Sequence, residues 1–242
     1  MRRVTRRATA RRAGSGTTQR NNGMLGNVLA GTSNYFASAA SQGIRGSASG
    51  FYVASLMMIN TGQANNYCTH CTGGTDGWNL YMPSSTTLVF TVASSLPALI
   101  NSPAYTVTPT VGKIISVVGV YDFGALTIRL YVNGAEIGAG TAIVGYTAAA
   151  GATLHKIGNS AGSPDLVTFG VLGGNGVPSA ANIAAWSAAC KATRSLATMP
   201  GAAPQHRWVP SNPVANMPDT VGSDTMTKNG TPPARSTNAW GY

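Results

Sequence analysis

The chain has little charge, few cysteines and no long apolar run. Only 9% of its 242 residues are charged, against about a quarter in a typical globular protein. Its polar surface must therefore come mainly from Ser, Thr, Asn and Gly. No apolar run reaches the ~18 residues that a membrane-spanning helix needs, and the basic start lacks the apolar stretch of a signal peptide. We therefore predict neither a transmembrane segment nor classical secretion.

Acidic residues are scarce, and this bears directly on catalysis. The six acids are Asp76, Asp122, Glu136, Asp165, Asp219 and Asp224. Glycoside hydrolysis needs two carboxylates flanking the scissile bond, and only Asp219 and Asp224 lie close together in sequence, in a predicted loop. One G-x-S-x-G match occurs at residues 158–162, but it lies between two predicted strands rather than at the strand-to-helix turn of a nucleophile elbow. No glycine-rich phosphate loop is present. We predict no catalytic residue and no enzymatic activity.

The three cysteines leave several interpretations open. Cys68 and Cys71 have the two-residue spacing of zinc and redox pairs, and His70 between them is a third potential ligand. A structural zinc ion needs four ligands, and the others would have to come from distant positions. A disulfide between Cys68 and Cys71, a metal site and free thiols are the three alternatives. Cys190 is predicted to be a small buried residue on a helix.

Positive charge is concentrated at the N-terminus. Seven of the sixteen Lys and Arg residues fall within the first twenty positions: Arg2, Arg3, Arg6, Arg7, Arg11, Arg12 and Arg20. Residues 1–22 are predicted to form a basic arm that ends in a flexible linker, and residues 23–242 a single domain. Arginine pairs without interleaved aromatic residues suit phosphates or an acidic protein surface, with no base stacking.

The body is predicted to consist of short strands. The clearest apolar or alternating segments are 51–59, 77–82, 88–93, 114–121, 153–159 and 165–174. The segment 114–121 is apolar almost throughout, as in a strand that is covered on both faces. Residues 60–77 are predicted to be a polar loop. Edge strands are predicted near 206–209 and 224–232.

A β-hairpin and one helix have the strongest local signals. In LTIRLYVNGAEIGAG, Leu126, Ile128, Leu130 and Val132 alternate with polar residues, and Asn-Gly follows as the central pair of a type I′ turn. In PSAANIAAWSAACKA, Pro178 stands at the start and Ser179 is a candidate N-cap. Ile183, Trp186 and Cys190 recur at helical spacing, which predicts a helix of about ten residues.

The order of these segments resembles concanavalin A-like/laminin G-like domains of the bacterial and phage type. The resemblance covers residues 50–190, and its most specific part is LYVNG followed by LHKIGN. It implies an all-β fold: a two-sheet antiparallel jelly-roll sandwich with one short helix, here preceded by the arm. Some such domains bind calcium at the rim of the sandwich, so Asp76 and Asp122 are candidates for a calcium site. The alternative is that each caps its own turn. No other cofactor is predicted.

Three non-enzymatic functions agree with this sequence. The first hypothesis is a structural virion protein, such as a phage capsid decoration protein, assembled in the host cytoplasm. It would be a homo-oligomer held among other shell subunits by its arm. The second is a lectin-like glycan-binding module in which exposed Trp78, Tyr81 or Trp208 stacks on sugars. The third is a coat protein whose arm binds packaged nucleic acid. None of the three involves a membrane.

Overall fold

Two antiparallel sheets form the body of the chain in a computed structural model. The structure describes residues 26–29, 35–39, 43–72, 75–94, 98–150, 153–158, 165–210, 216–229 and 235–236. The predicted arm, residues 1–22, lies outside the described residues together with its seven arginines. Within the described part of the chain, no helix is both long and apolar enough to cross a membrane.

The first sheet contains nine strands in the described residues. These are β1 (Gly26–Leu29), β3 (Phe51–Thr61), β9 (Ile114–Asp122), β10 (Thr127–Val132), β11 (Ala135–Glu136), β12 (Thr141–Ala142), β14 (Asp165–Asn175), β15 (His206–Trp208) and β18 (Arg235–Ser236). Their order is β11-β10-β9-β3-β14-β1-β18, with β12 paired to β10 and β15 to β14. The long strands β3, β9 and β14 therefore lie side by side at its centre.

The second sheet also contains nine strands in the described residues. These are β2 (Tyr35–Ala37), β4 (Asn66–Thr72), β5 (Gly77–Ser84), β6 (Thr87–Ala93), β7 (Leu99–Asn101), β8 (Tyr105–Thr106), β13 (Lys156–Gly158), β16 (Asn216–Met217) and β17 (Met226–Asn229). Their order is β16-β17-β2-β13-β4-β5-β6-β7, with β8 paired to β6. The predicted two-sheet antiparallel jelly-roll sandwich is confirmed.

Apolar side chains fill two layers, one on each side of the first sheet. The larger cluster lies between the two sheets and includes Trp78 and Phe90. The second lies between the outer face of the first sheet and the helix α1 (Ala180–Thr193), and it includes Tyr52 and Trp186. Because β3, β9 and β14 contribute to both clusters, their sequences are apolar almost throughout.

The predicted hairpin and helix are both present. Strands β10 and β11 pair around Asn133 and Gly134, whose φ angles of +52° and +83° are those of a type I′ turn. Helix α1 begins after Ser179, whose hydroxyl accepts the Asn182 N–H at 3.2 Å. Its buried face contains Ile183, Trp186 and Cys190, as the helical spacing predicted. It has 14 residues and is longer than predicted because it continues through Thr193.

Two local predictions were wrong. The segment 60–77 contains strand β4 rather than only a loop. Leu126 was predicted to share one strand face with Ile128, Leu130 and Val132, but it lies in the turn before β10 with φ of +47° and is 43% exposed. Its backbone instead links two segments, since its N–H donates to the Phe123 carbonyl and its own carbonyl accepts from Ile143.

Candidate functional site: the outer face of the second sheet

A row of polar side chains crosses the outer face of the second sheet. In antiparallel pairs, directly opposed residues share a face. The registers pair Lys156 with His70, His70 with Asn79, Asn79 with Thr91, and Thr91 with Asn101. Their neighbours along the strands, such as Leu80 and Phe90, point into the core. We call Lys156, His70, Asn79, Thr91 and Asn101 the polar row.

Tyrosine rings lie beside the polar row on the same face. Tyr67 and Tyr81 are opposed in β4 and β5, and their rings stack with centroids 5.3 Å apart and an angle of 22°. The Tyr67 ring also lies 4.8 Å from the ring of His70. Both tyrosines are partly exposed, so this tyrosine pair offers aromatic surface next to hydrogen-bonding groups.

A third tyrosine, Tyr35, lies at the Lys156 end of the polar row. The Lys156 ammonium lies 5.1 Å from the centroid of the Tyr35 ring, within range of a cation–π contact. Both side chains are partly exposed. The face therefore combines aromatic rings with a single positive charge, and among its described residues it contains no carboxylate.

The floor of this face holds polar atoms that lack protein partners. Asn79 is 2% exposed and His70 7%. Within the described part of the chain, the Asn79 Oδ1 makes no hydrogen bond, and the ring nitrogens of His70 make none of good geometry, although the Gly158 backbone lies close enough to raise the His70 pKa. Such groups are rare in native proteins because burying a polar group without a partner costs about 1–3 kcal/mol. Because these atoms are buried, a ligand hydroxyl reaches them only if the side chains over them move aside.

His70 is held in its neutral form. Burial, and after it the nearby charge of Lys156, lowers the pKa of His70 to about 3, although the backbone of Gly158 opposes this shift. A neutral imidazole has one donor nitrogen and one acceptor nitrogen. His70 can thus both donate to and accept from hydroxyl groups, which a charged histidine cannot do.

The second histidine of this region, His155, is part of the core. Its ring packs edge-on between Trp78 and Trp208, with centroids 5.1 Å and 4.9 Å away. Nδ1 accepts the Ile44 N–H at 3.2 Å, so Nε2 carries the proton and donates to the Thr69 hydroxyl at 2.9 Å. That hydroxyl donates to the Lys156 carbonyl at 3.0 Å. Burial lowers the pKa of His155 far below its usual value, and every ring nitrogen is already used.

Two of the three residues predicted to stack on sugars are inaccessible. Trp78 and Trp208 are fully buried, so the prediction that they contact a glycan is wrong. Each indole N–H has a backbone partner: that of Trp78 donates to the Ile44 carbonyl at 2.8 Å, and that of Trp208 to the Asp224 carbonyl at 2.6 Å. Tyr81 is partly exposed and remains a candidate.

The paired cysteines are free thiols, one of the three alternatives left open, and the disulfide alternative is wrong. Cys68 and Cys71 both point into the core from β4, and three strand residues span about 10 Å, beyond the reach of a disulfide. Burial raises the pKa of each thiol to about 12. His70 faces the opposite side of the sheet, and the described residues contain no group of three or more metal-ligating side chains.

A bulge in β4 explains why this surface was not predicted from the sequence. The register shifts between Tyr67 and Thr69, so Cys68 has no opposed partner in β5. The strand is polar as well as bulged, so it lacks the period-two alternation that predicts a strand. The stretch looked like a loop, and Tyr67, His70 and Asn79 were not recognised as one surface. The strand-like GWNLYM alone pointed to Tyr81.

The two candidate calcium ligands each accept a backbone hydrogen bond. Asp76 Oδ2 accepts the Ala150 N–H at 2.6 Å, and Asp122 Oδ1 accepts the Ala125 N–H at 3.1 Å. Asp122 thereby caps its own turn, the alternative to calcium binding. Asp76 directly precedes β5 of the second sheet, and Asp122 is the last residue of β9 in the first sheet. The two candidate calcium ligands are therefore associated with different sheets.

The family is settled by a match that covers more than half of the chain. The laminin G-like family model described as "Concanavalin A-like lectin/glucanases superfamily" matches residues 30–172. The chain belongs to this superfamily. The predicted resemblance is thus confirmed at the level of the family. No curated protein matches the sequence.

Solved structures of other proteins share this fold. A proposed carbohydrate-binding protein from Bacteroides ovatus superposes with a TM-score of 0.59 at 14% identity, over 87% of this chain and 61% of its own. A structure described as the HCR/D F1240A mutant reaches a TM-score of 0.51 at 12% identity, over 70% of this chain and 52% of its own. The chain thus spans about three fifths and one half of these proteins. At such identities the likeness concerns the fold alone.

Proposed function

We propose that this domain is a non-catalytic glycan-binding module and that the outer face of the second sheet is its binding surface. The observation that carries the proposal is the tyrosine pair beside Asn79 and His70, two buried groups with unused hydrogen-bonding capacity. Aromatic rings pack on the apolar faces of sugars, and neutral amides and imidazoles bond their hydroxyls.

The charge of this face favours a neutral glycan. Its described residues contain one lysine and no carboxylate, and His70 is uncharged. A neutral sugar is recognised through stacking and hydrogen bonds, both of which this face supplies. The fold agrees with such a role, since a solved structure with a TM-score of 0.59 is a proposed carbohydrate-binding protein.

A binding role also suits the positions of the carboxylates. Hydrolysis of a glycosidic bond needs two of them on opposite sides of one cleft. Asp122 and Glu136 both lie near Arg129, with N–O distances of 3.9 Å and 3.8 Å, on the other sheet from the tyrosine pair. The proposed surface therefore binds a glycan without cleaving it.

A glycan array followed by calorimetry tests the proposal. The wild-type chain is expected to bind a set of neutral glycans, and Tyr81→Ala and Asn79→Ala are each expected to weaken the binding by about tenfold, the loss of about 1.4 kcal/mol. Phe123→Ala is the matched control, because Phe123 is an exposed aromatic residue in the turn after β9, away from the tyrosine pair. Absence of any array signal, or equal losses in all three variants, would overturn the proposal.

The basic arm supports a second proposal, that it anchors the domain in a virion or a similar shell. Seven arginines and no acid or aromatic residue occur in residues 1–22, which suits an acidic protein surface or packaged nucleic acid. A homo-oligomeric shell would also multiply weak glycan contacts. Deleting residues 1–22 should abolish incorporation into particles, and normal incorporation of the shortened chain would refute the anchor.

The two potential partners of the arm can be separated by one set of substitutions. Replacing the arginine pairs 2–3, 6–7 and 11–12 by alanine should reduce the nucleic acid content of assembled particles if the arm binds nucleic acid. Unchanged nucleic acid content together with lost incorporation would assign the arm to a protein partner.

A further inference from the structure

A groove lies on the opposite side of the molecule from the tyrosine pair. It runs between helix α1, the start of β9 and the β10–β11 turn, and its volume is about 320 Å³. That volume is within the range of small-molecule sites, about 300–1,000 Å³. Its polar lining consists of Thr110, Lys113, Ser116, Asn133, Ser187 and Lys191.

One wall of the groove is a preformed set of hydrogen-bond donors. The hydroxyl oxygens of Ser116 and Ser187 lie 2.6 Å apart, so one hydroxyl donates to the other and the second keeps a proton to donate elsewhere. Asn133 Oδ1 accepts the Ser116 N–H at 3.1 Å. This contact orients the Asn133 amide so that its nitrogen remains a donor.

The charge of the groove is positive. Lys113 and Lys191 stand on its two sides and are exposed, and none of the described residues that line it is Asp or Glu. Lys191 belongs to the last turn of α1, where the helix carbonyls carry partial negative charge. Attraction for an anion must therefore come from the two lysines rather than from the helix.

Part of the groove is apolar. Leu56 and Ile114 line it from the first sheet, and Ala184 and Ala188 line it from the helix. An inorganic ion would leave this surface unused, whereas an organic ligand with an anionic group would contact both parts. We propose that the groove binds a sulfate or phosphate ester, with the oxyanion between the lysines and the carbon skeleton against the apolar lining. This goes beyond the glycan site and does not rest on it.

The test is calorimetric titration at low salt with inorganic sulfate, inorganic phosphate, a sulfated monosaccharide, a phosphorylated monosaccharide and the unsubstituted sugar. We expect the esters to bind, the unsubstituted sugar to show no binding that depends on Lys113 or Lys191, and ester binding to weaken as salt screens the lysines. Lys113→Gln and Lys191→Gln should each weaken ester binding at least tenfold. Ser187→Ala should weaken it less, because a neutral donor contributes less than a charge.

Lys228→Gln is the matched control, because Lys228 lies on β17 of the second sheet. Equal weakening in all three lysine variants would show unspecific charge attraction and overturn the proposal, as would binding that survives both groove substitutions. An ester that binds tighter than its free inorganic anion supports an organic ligand, and equal affinity contradicts it. Tyr81→Ala should leave ester binding unchanged, which separates this site from the glycan surface.

Discussion

The two sheets of the sandwich differ in what their outer faces carry. The outer face of the first sheet is apolar and is covered by helix α1 and the segment 196–202. The outer face of the second sheet carries the polar row and the partly exposed tyrosine pair. The same architecture thus covers one outer face with a helix and leaves the other without such a cover in the described residues, and on this second face we propose glycan binding.

This difference follows from the side chains that alternate with the core residues. In β3, the residues between the inward-facing ones are Tyr52, Ala54, Leu56 and Met58, and these pack beneath the helix. In β4 and β5 the corresponding residues are Tyr67, His70, Asn79 and Tyr81. A face of tyrosine, amide and imidazole gains less from burial than an aliphatic one, so it suits contact with a polar partner.

The largest expected effect comes from opening the covered face. Trp186 is fully buried and its indole N–H donates to the Ala197 carbonyl at 2.9 Å. Trp186→Ala should lower the free energy of unfolding by about 3–5 kcal/mol, because it leaves a cavity beneath the helix. Tyr81→Ala should lower it by less, because that ring is partly exposed. Urea unfolding measures both, and equal losses would contradict the distinction between the faces.

Low pH should destabilise the second sheet more than helix α1 on the first. The folded pKa values of His70 and His155 lie below the unfolded value of about 6.5, so the unfolded chain binds more protons below that pH. Their stabilising contribution is complete above pH 6.5 and falls by about 1.4 kcal/mol per pH unit for each histidine as the pH drops, down to about pH 3 for His70. Hydrogen exchange should show β4 and β13 losing protection before α1.

The matched variant for the acid experiment is His70→Gln. It keeps a neutral polar side chain on the second sheet but removes one titrating group, so its unfolding free energy should depend less steeply on pH between 6.5 and about 3. A pH dependence identical to that of the wild type would show that His70 does not contribute to the loss of stability in acid.

A smaller loss of stability is expected from adding a side chain at Gly134, where the hairpin packs against the helix. Gly134 has φ of +83°, and a Cβ there would lie 3.1 Å from Ala184 Cα and 3.3 Å from Ser187 Cβ. Gly134→Ala should destabilise the fold by about 1–2 kcal/mol, because it combines backbone strain with crowding of the helix. Gly124→Ala is the control, since its added Cβ would meet only Asp122 Oδ1 at 3.5 Å. Thermal unfolding of both variants measures the difference.

The smallest effect is expected from the ion pairs of the first sheet. Arg129 lies 3.9 Å from Asp122 and 3.8 Å from Glu136, with about a third of its side chain exposed. Solvent screens such pairs, so Arg129→Met should change the free energy of unfolding by less than about 1 kcal/mol. A larger loss in chemical denaturation would show that the first sheet relies on charge as well as on its covered apolar face.

The sequence predicted best where neighbouring residues carry the whole signal. Asn133-Gly134 needs no distant partner to form its turn, and Pro178 with Ser179 starts α1 through contacts within one helical turn. The buried strands β3, β9 and β14 were equally clear because a strand covered on both faces must be apolar throughout.

The candidate site was poorly predicted because its parts are joined only by strand pairing. The bulge at Cys68 disguised β4, and no local pattern shows that His70 lies opposite Asn79. The tryptophans were wrongly predicted to be exposed for a related reason. The backbone partners of their indole N–H groups lie 34 residues away for Trp78 and 16 for Trp208. An aromatic residue in a strand has two faces available, and distant segments decide whether it is enclosed.

The sequence by itself determined the all-β class, the hairpin, the helix and the shortage of carboxylates, because each depends on composition or on residues a few positions apart. The tertiary structure alone decided which face of each sheet is covered and which side chains meet there. Tyr67 and Tyr81 stack, and Lys113 and Lys191 flank one groove, because strand register and helix packing bring together residues that are separated along the chain.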